Sequence, residues 1–265
     1  MAVALTLLLA ALAGCSLPAE EPTVTPAPVP DAEVTTPAED DTPVDEAAVE
    51  NAQSIAAAHR EAIDNRTYRV RERFDWSRFG SDTANRIANR SATTLYAPDG
   101  RAVHDRSLRE ERFQFDPEVD WTNTSTYSDG DRRYIRRTTG NTTTYATAPA
   151  DTGTGRVRDN MTQTIAQLFA VQEMNVTSTT VDGEPGYRLV GERAATGLYN
   201  TYGDYTVTAL VESSGLVRRI ETSYGRSSLG VTTRGSNVFV IDPVPNGTVT
   251  EPPWVETARE ATDDG

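Results

Sequence analysis

The stretch TYRVRERFDW, residues 67–76, decides the fold class. Apolar and basic residues alternate along it, with Tyr68, Val70, Phe74 and Trp76 on one face and Arg69, Arg71 and Arg73 on the other. Successive side chains of a β-strand point to opposite faces, so a two-residue period indicates a strand. The stretch therefore predicts a strand with one face in a core and one in water, which is typical of antiparallel sheets.

Turn sequences recur through the rest of the chain, at Asp99-Gly100, Asp129-Gly130, Gly140-Asn141, Asp182-Gly183 and Ser214-Gly215. Each lies between runs rich in Thr, Tyr, Val and Arg, a pattern that predicts antiparallel hairpins. We expect strands over 67–78, 88–97, 101–107, 110–116, 123–128, 132–138, 142–147, 173–181, 185–193, 204–212, 216–224 and 228–241.

Two helices are predicted beside these strands. The first begins after Pro43 and carries a stripe of mostly small residues: Val49, Ala52, Ala56, His59 and Ile63. The second covers about 156–171, and its bulky apolar residues follow an i, i+4, i+7, i+8 spacing: Met161, Ile165, Leu168 and Phe169. Packing on the sheet as ordinary core explains this second face. The alternative is that it roofs a ligand cavity.

The chain begins with an apolar run that ends at its only cysteine, Cys15. The run is shorter than the roughly 20 residues that span a bilayer, and it matches the apolar core of a secretory signal. Ala13 and Gly14 directly before Cys15 resemble a lipobox. We therefore predict a lipoprotein signal over 1–14 and a lipid on Cys15. The basic segment that should precede the run is missing, so we expect the natural start to lie upstream.

Two segments outside the predicted domain are expected to be disordered. Residues 16–46 hold seven prolines and no aromatic residue, so 15–46 reads as the lipidated cysteine and a tether. The tail from Pro243 is expected to run as a strap over the sheet edge as far as Trp254. Residues 256–265 would then form a disordered acidic tail, leaving 47–255 as the folded domain.

The net charge of −14 belongs to the two ends of the chain. Residues 16–50 carry ten acids and no base, whereas 51–241 carry 23 acids and 24 arginines. A near-neutral domain between acidic tails argues against a nucleic-acid partner. The chain has no lysine, which is typical of halophilic archaea, although a GC-rich genome alone could also remove lysine.

The sequence predicts no catalytic residue, metal ligand or cofactor. His59 and His104 are the only histidines, and they lack metal-ligand spacing. No nucleophile elbow or phosphate-binding glycine loop occurs. Asp129-Gly130-Asp131 lacks the spaced oxygens of a calcium loop. Glycosylation gives a stronger signal, because seven Asn-x-Ser/Thr sequons are present: Asn65, Asn89, Asn123, Asn141, Asn160, Asn175 and Asn246. Clustering of Asn and Thr in turns is the alternative explanation.

The order of these segments is similar to that of a known superfamily. After the lipobox, tether and first helix come Thr67-Tyr68, Tyr127-Ser128-Asp129-Gly130-Asp131 and Tyr134-Ile135-Arg136. The second helix, residues 181–189 (VDGEPGYRL) and residues 215–220 (GLVRRI) then follow. Over about 47–242 this resembles haloarchaeal lipoproteins of the LolA/LppX-like superfamily, of the LolB and LprG type. The resemblance implies an α+β fold, a curved antiparallel half-barrel of about 11 strands with two helices over its concave face.

Two functions remain open from the sequence. One is a membrane-anchored lipoprotein on the extracellular face of the cell membrane that binds a lipid or isoprenoid, with Met161, Ile165, Leu168 and Phe169 lining the cavity. The other is a structural or protein-interaction module of the cell envelope without a ligand, whose protein partner the sequence does not identify. An enzyme is not expected.

Overall fold

The computed structural model describes residues 52–80, 85–113, 117–149, 154–194 and 203–263. The predicted signal, Cys15 and the tether lie outside the described residues. Three helices are present: α1 (Ala52–Ile63), α2 (Thr154–Leu168) and α3 (Trp254–Asp263). The strands are β1 (Tyr68–Gly80), β2 (Asn85–Tyr96), β3 (Ala102–Phe113), β4 (Pro117–Ser128), β5 (Arg132–Thr139), β6 (Thr142–Pro149), β7 (Val171–Val181), β8 (Glu184–Ala194), β9 (Thr206–Glu212), β10 (Val217–Ser228) and β11 (Val231–Pro243).

All eleven strands form one antiparallel sheet in the order β6-β5-β4-β3-β2-β1-β11-β10-β9-β8-β7. Strands that are consecutive in sequence are paired, except for β6 and β7, and β1 also pairs with β11 in the middle of the sheet. The sheet is not closed, and β6 and β7 are its edges. The predicted fold class, a curved half-barrel-like α+β fold, is confirmed.

The alternation of apolar and basic residues over 67–76 corresponds to the two faces of the sheet. Tyr68 and Val70 are buried on the inner, concave face, whereas Arg69, Arg71 and Arg73 are exposed on the outer face. The five predicted turns are also found. The glycine of each turn has a positive φ, which costs little without a Cβ atom.

The main core lies between the inner face and the two helices α1 and α2. Large side chains on both sides of this layer are at most 2% exposed: Ile55, Ile63, Ile165 and Phe169 from the helices, and Leu189, Ile220 and Ile241 from the strands. Tyr205 ties α2 to β9 by donating its hydroxyl proton to the carbonyl of Leu168 at 2.7 Å. This core occupies the part of the inner face formed by β7–β11 and the start of β1.

The third helix corrects the prediction of two helices and a disordered tail over 256–265. Helix α3 runs to Asp263 and packs on the outer face, where Val255 and Ala258 are fully buried. They contact Ala97, Tyr127 and Tyr134 in a second, smaller core. The helix has few apolar residues, so its sequence pattern is weak and its stability depends on this docking site.

Some predicted boundaries were also wrong. The proposed separate strands 101–107 and 110–116 merge into the single strand β3, because Leu108 and Arg109 between them continue the two-residue alternation rather than making a turn. Helix α2 ends at Leu168, three residues earlier than expected, and β7 begins at Val171. No helix in the described ranges is both long enough and apolar enough to cross a bilayer.

Candidate ligand-binding face

The predicted cavity-lining residues lie on the inner side of α2, but most of them fill the core. Ile165, Leu168 and Phe169 are between 0% and 2% exposed. Met161 is only partly buried and packs at the border of the same cluster. Because Ile165, Leu168 and Phe169 are enclosed by other side chains, they have no free surface for a ligand.

Beyond this border the apolar surface continues without full cover. Phe74 and Trp76 on β1 and Met174 on β7 are partly buried and pack against the main core. Leu108 on β3 is also half-buried and lies two strands from Phe74 in the same cross-strand row. A strip of half-buried apolar side chains beside a closed core is a surface on which an apolar molecule can gain contact area.

An ion pair lies in the middle of this open part. The register places Glu72, Phe74 and Arg90 on the inner face of β1 and β2. The Arg90 guanidinium contacts the Glu72 carboxylate and lies 5.0 Å from the centre of the Phe74 ring. Both charged side chains are about two-thirds or more shielded from solvent, at 31% and 21% exposure.

Arg90 retains hydrogen-bonding capacity. Its Nε is buried and has no hydrogen-bond partner among the described residues. A buried donor without a partner is costly, and a ligand oxygen would relieve that cost. Arg90 therefore combines a fixed charge, an aromatic neighbour and a free donor.

His104 lies beside the Glu72–Arg90 ion pair on the inner face, in the cross-strand row that also contains Val70 and Thr94. Its Nδ1 is 2.8 Å from the hydroxyl of Thr94, its cross-strand partner. Burial lowers the pKa of His104, and it outweighs the negative charges of Asp105 and Glu72, which act in the opposite direction. The imidazole is therefore neutral at pH 7 and can accept or donate one hydrogen bond. We call Glu72, Phe74, Arg90, His104 and Leu108 the inner patch.

The inner patch combines charge, hydrogen-bonding groups and apolar surface. Its histidine has a hydroxyl neighbour in Thr94, but the residues described around it include no carboxylate bonded to His104 that could orient it as a general base. No group of three or more potential metal ligands occurs in the described ranges. The apolar side chains of the inner patch could contact the apolar part of an amphiphilic molecule, and its charged side chains could contact the polar part.

The described sequons lie in turns or on the outer face of the sheet. Five of the seven asparagines are exposed, namely Asn65, Asn123, Asn141, Asn175 and Asn246. Asn89 differs because its amide donates to Asp75 at 2.6 Å and it is half-buried. Asn160 lies in α2, and its side chain is not among those described. None of the described sequons on a strand faces the inner patch.

No protein-family profile and no curated protein matches this chain. Solved structures with a similar fold include a β-barrel-like protein with a domain of unknown function from Brucella abortus. It is 12% identical, covers 68% of this chain and 99% of its own, and has a TM-score of 0.30. A LolA superfamily protein from Nitrosomonas europaea is 12% identical over 72% of this chain and 91% of its own, with a TM-score of 0.20. An outer membrane lipoprotein-sorting protein domain from Vibrio parahaemolyticus is 8% identical over 79% and 97%, with a TM-score of 0.23.

These similarities are low, and none of them identifies a ligand for this chain. The fold assignment comes from the strand order of the chain itself. Sequence reasoning missed the inner patch because Glu72, Arg90 and His104 meet only through the register of three strands. The one available signal was Glu72, a charged residue on the otherwise apolar face of residues 67–76.

Proposed function

We propose that this protein is a membrane-anchored, cell-surface lipoprotein that binds a lipid-like amphiphile on the open part of its concave face. The lipid on Cys15 would hold the protein at the membrane. The apolar part of the ligand would lie along Phe74, Trp76 and Met161, and a polar oxygen would accept a hydrogen bond from Arg90.

The observation that carries this proposal is the partly exposed Arg90 guanidinium, paired with Glu72, beside the half-buried side chains of Phe74 and Trp76. A solid protein core has little reason to hold a guanidinium group next to Phe74 and Trp76. An amphiphile would cover the apolar strip and bind the guanidinium at the same time. The proposal thus moves the ligand from beneath α2, where the sequence suggested it, to the surface beside α2.

A specific observation favours the alternative of a structural or protein-interaction module. Ile165, Leu168 and Phe169 fill the space beneath α2 with the chain's own side chains. An interaction module would use the same inner patch to bind a protein side chain instead of a lipid. The two functions differ in whether a lipid stays bound when the protein is purified.

The test is native extraction of the full chain from membranes, followed by mass spectrometry of co-purified lipid. We expect a lipid in the wild type and its loss in Arg90→Met, which removes the donor but keeps a long apolar side chain. Arg73→Met is the matched control, because Arg73 lies on the outer face of β1 and its side chain is 74% exposed. Phe169→Ala should instead cost about 3–5 kcal/mol of unfolding free energy, as a core truncation does.

Absence of any co-purified lipid from the wild type would leave the interaction module as the function. Equal lipid retention by Arg90→Met and wild type would contradict the role of Arg90. The unfolding free energy of each variant shows whether a loss of lipid reflects the site or the fold.

A further inference from the structure

Four exposed arginines lie in one cross-strand row at the end of the sheet. Arg226 on β10 and Arg78 on β1 both lie opposite Thr233 of β11. Arg78 lies opposite Arg86 on β2, and Arg86 lies opposite Arg112 on β3. We call Arg78, Arg86, Arg112 and Arg226 the arginine rim. All four are exposed on the concave side of the strand ends, beyond the inner patch.

The arginine rim is electrostatically unfavourable by itself. Directly opposed residues of antiparallel strands have Cβ atoms about 5 Å apart, and like charges there are destabilising. Nevertheless, arginines lie opposite one another on three neighbouring strands, β1, β2 and β3. Arg112 forms an ion pair with Glu110 at 3.8 Å, and the register places it opposite Glu118 of β4, where the row ends. Arg78, Arg86 and Arg226 form no ion pair within the part of the chain that the structure describes.

The hairpin next to the rim carries a second unusual feature. Leu229 and Gly230 connect β10 to β11, both with positive φ, at 51° and 76°. Two positive φ values define the tight hairpin turn that favours Asn-Gly or Asp-Gly, and a bulky leucine is strained there. Leu229 is also 100% exposed, and Phe79, on the adjacent strand end of β1, is 44% exposed. A strained, fully exposed leucine points to a function for this tip.

Charge and exposure at this end contrast with the rest of the chain. Residues 77–88 and 223–236 together hold four arginines, Arg78, Arg86, Arg226 and Arg234, and one acid, Asp82, which lies outside the described residues. The β3–β4 segment at the same end, residues 109–120, is acidic instead, with two arginines and five acids. The excess of arginine is thus confined to the β1–β2 and β10–β11 hairpins, where the exposed Leu229 lies.

We propose that this end of the sheet docks on an anionic lipid bilayer. Leu229 and Phe79 enter the boundary between headgroups and acyl chains, and the arginine rim contacts lipid phosphates. Apolar side chains flanked by arginines are what binding to an anionic membrane surface requires. An acidic protein would neutralise the rim but would not require a fully exposed leucine. None of the residues of this site belongs to the inner patch.

The test is co-sedimentation with vesicles of the chain from residue 15 onward, carrying Cys15→Ser so that no lipid can be attached. Phosphatidylglycerol vesicles are compared with phosphatidylcholine vesicles. We expect binding to the anionic vesicles that weakens at high salt. Leu229→Asn should lower it roughly tenfold, the effect of withdrawing a buried leucine side chain. Each of Arg78→Gln and Arg226→Gln should lower it about fivefold.

Leu229→Asn has the advantage that it should not harm folding. Asn-Gly is the preferred sequence for this turn, so the variant should have an equal or higher melting temperature than the wild type. Arg69→Gln is the matched control, since Arg69 is exposed on β1 at the opposite end of the strand.

Two results would overturn the proposal. The first is wild-type protein that does not sediment with phosphatidylglycerol vesicles. The second is binding that the arginine substitutions reduce while Leu229→Asn leaves it unchanged, because that pattern indicates anion binding without insertion into lipid.

Discussion

His59 is a polar side chain enclosed by the main core. It is 0% exposed, its Nδ1 accepts a hydrogen bond from the amide of Val217 at 3.2 Å, and its Nε2 has no partner among the described residues. A ring that accepts at Nδ1 carries its proton on Nε2, so the neutral tautomer is fixed. Burial lowers the pKa of His59 from 6.5 to about 4.

His59 should make the protein less stable in acid. The unfolded chain takes up a proton on this histidine below about pH 6.5, whereas the folded protein does so only near pH 4. Unfolding therefore binds protons between these values, and stability falls as the pH falls, by roughly 3 kcal/mol in total.

The measurement is the urea unfolding free energy at pH 7, 5.5 and 4.5 for the wild type and for His59→Asn. Asparagine keeps an oxygen acceptor for the Val217 amide but does not titrate. We expect the difference between the two proteins to shrink or reverse as the pH falls. A constant difference across this range would contradict a buried neutral His59.

At the scale of single elements, helix α3 shows what a sequence pattern cannot supply. Among the helix side chains that the structure describes, Val255 and Ala258 alone are buried, while Trp254 and Arg259 lie at the border. Arg259 donates to both carboxylate oxygens of Glu251 at 2.7 Å and lies 4.9 Å from the centre of the Tyr134 ring. Such contacts depend on the position of β5 in space, so the sequence alone suggested a disordered acidic tail.

Helix α3 should tolerate a new charged residue on its exposed side but not on the side that packs against the sheet. Ala258→Asp places a carboxylate in the fully buried contact with Tyr127 and Tyr134 and should cost several kcal/mol of unfolding free energy. Thr257→Asp, one residue earlier on the exposed side, should change stability by about 0.5 kcal/mol or less. Equal thermal stability of the two variants would show that α3 does not dock on the sheet.

The second helix illustrates the opposite outcome. The spacing of Met161, Ile165, Leu168 and Phe169 predicted an apolar helix face, and three of these residues are buried in the main core. Periodicity identifies which face of a helix is buried. It does not distinguish a face that fills a core from one that roofs a cavity, because both require the same spacing.

At the scale of the whole molecule, local sequence patterns predicted the hairpins. The order of the strands in the sheet became known only from the three-dimensional structure. Glycine turns and alternating strands are local features, and both were correct in most places. The pairing of β1 with β11 joins residues more than 150 positions apart, as Tyr68 with Pro243 shows. Both the inner patch and the arginine rim are built across several strands, so neither could be found before this order was known.

The final prediction concerns where the folded domain begins and ends. A protease that cleaves after glutamate can test it. Trypsin would be uninformative at the N-terminal end, because the first basic residue is Arg60, within α1. Glutamate occurs throughout the predicted tether, whereas Glu256 and Glu260 lie on the exposed side of α3. Cleavage needs an extended backbone, which a docked helix does not offer.

We therefore expect limited digestion to remove the tether quickly and to leave a fragment that begins near residue 51 and retains α3. Intact-mass measurement over the digestion gives both ends of this fragment. In Ala258→Asp the same protease should also cut at Glu256 and Glu260, because the helix is released from Tyr127 and Tyr134. Early cleavage at these two sites in the wild type would instead restore the disordered tail that the sequence suggested.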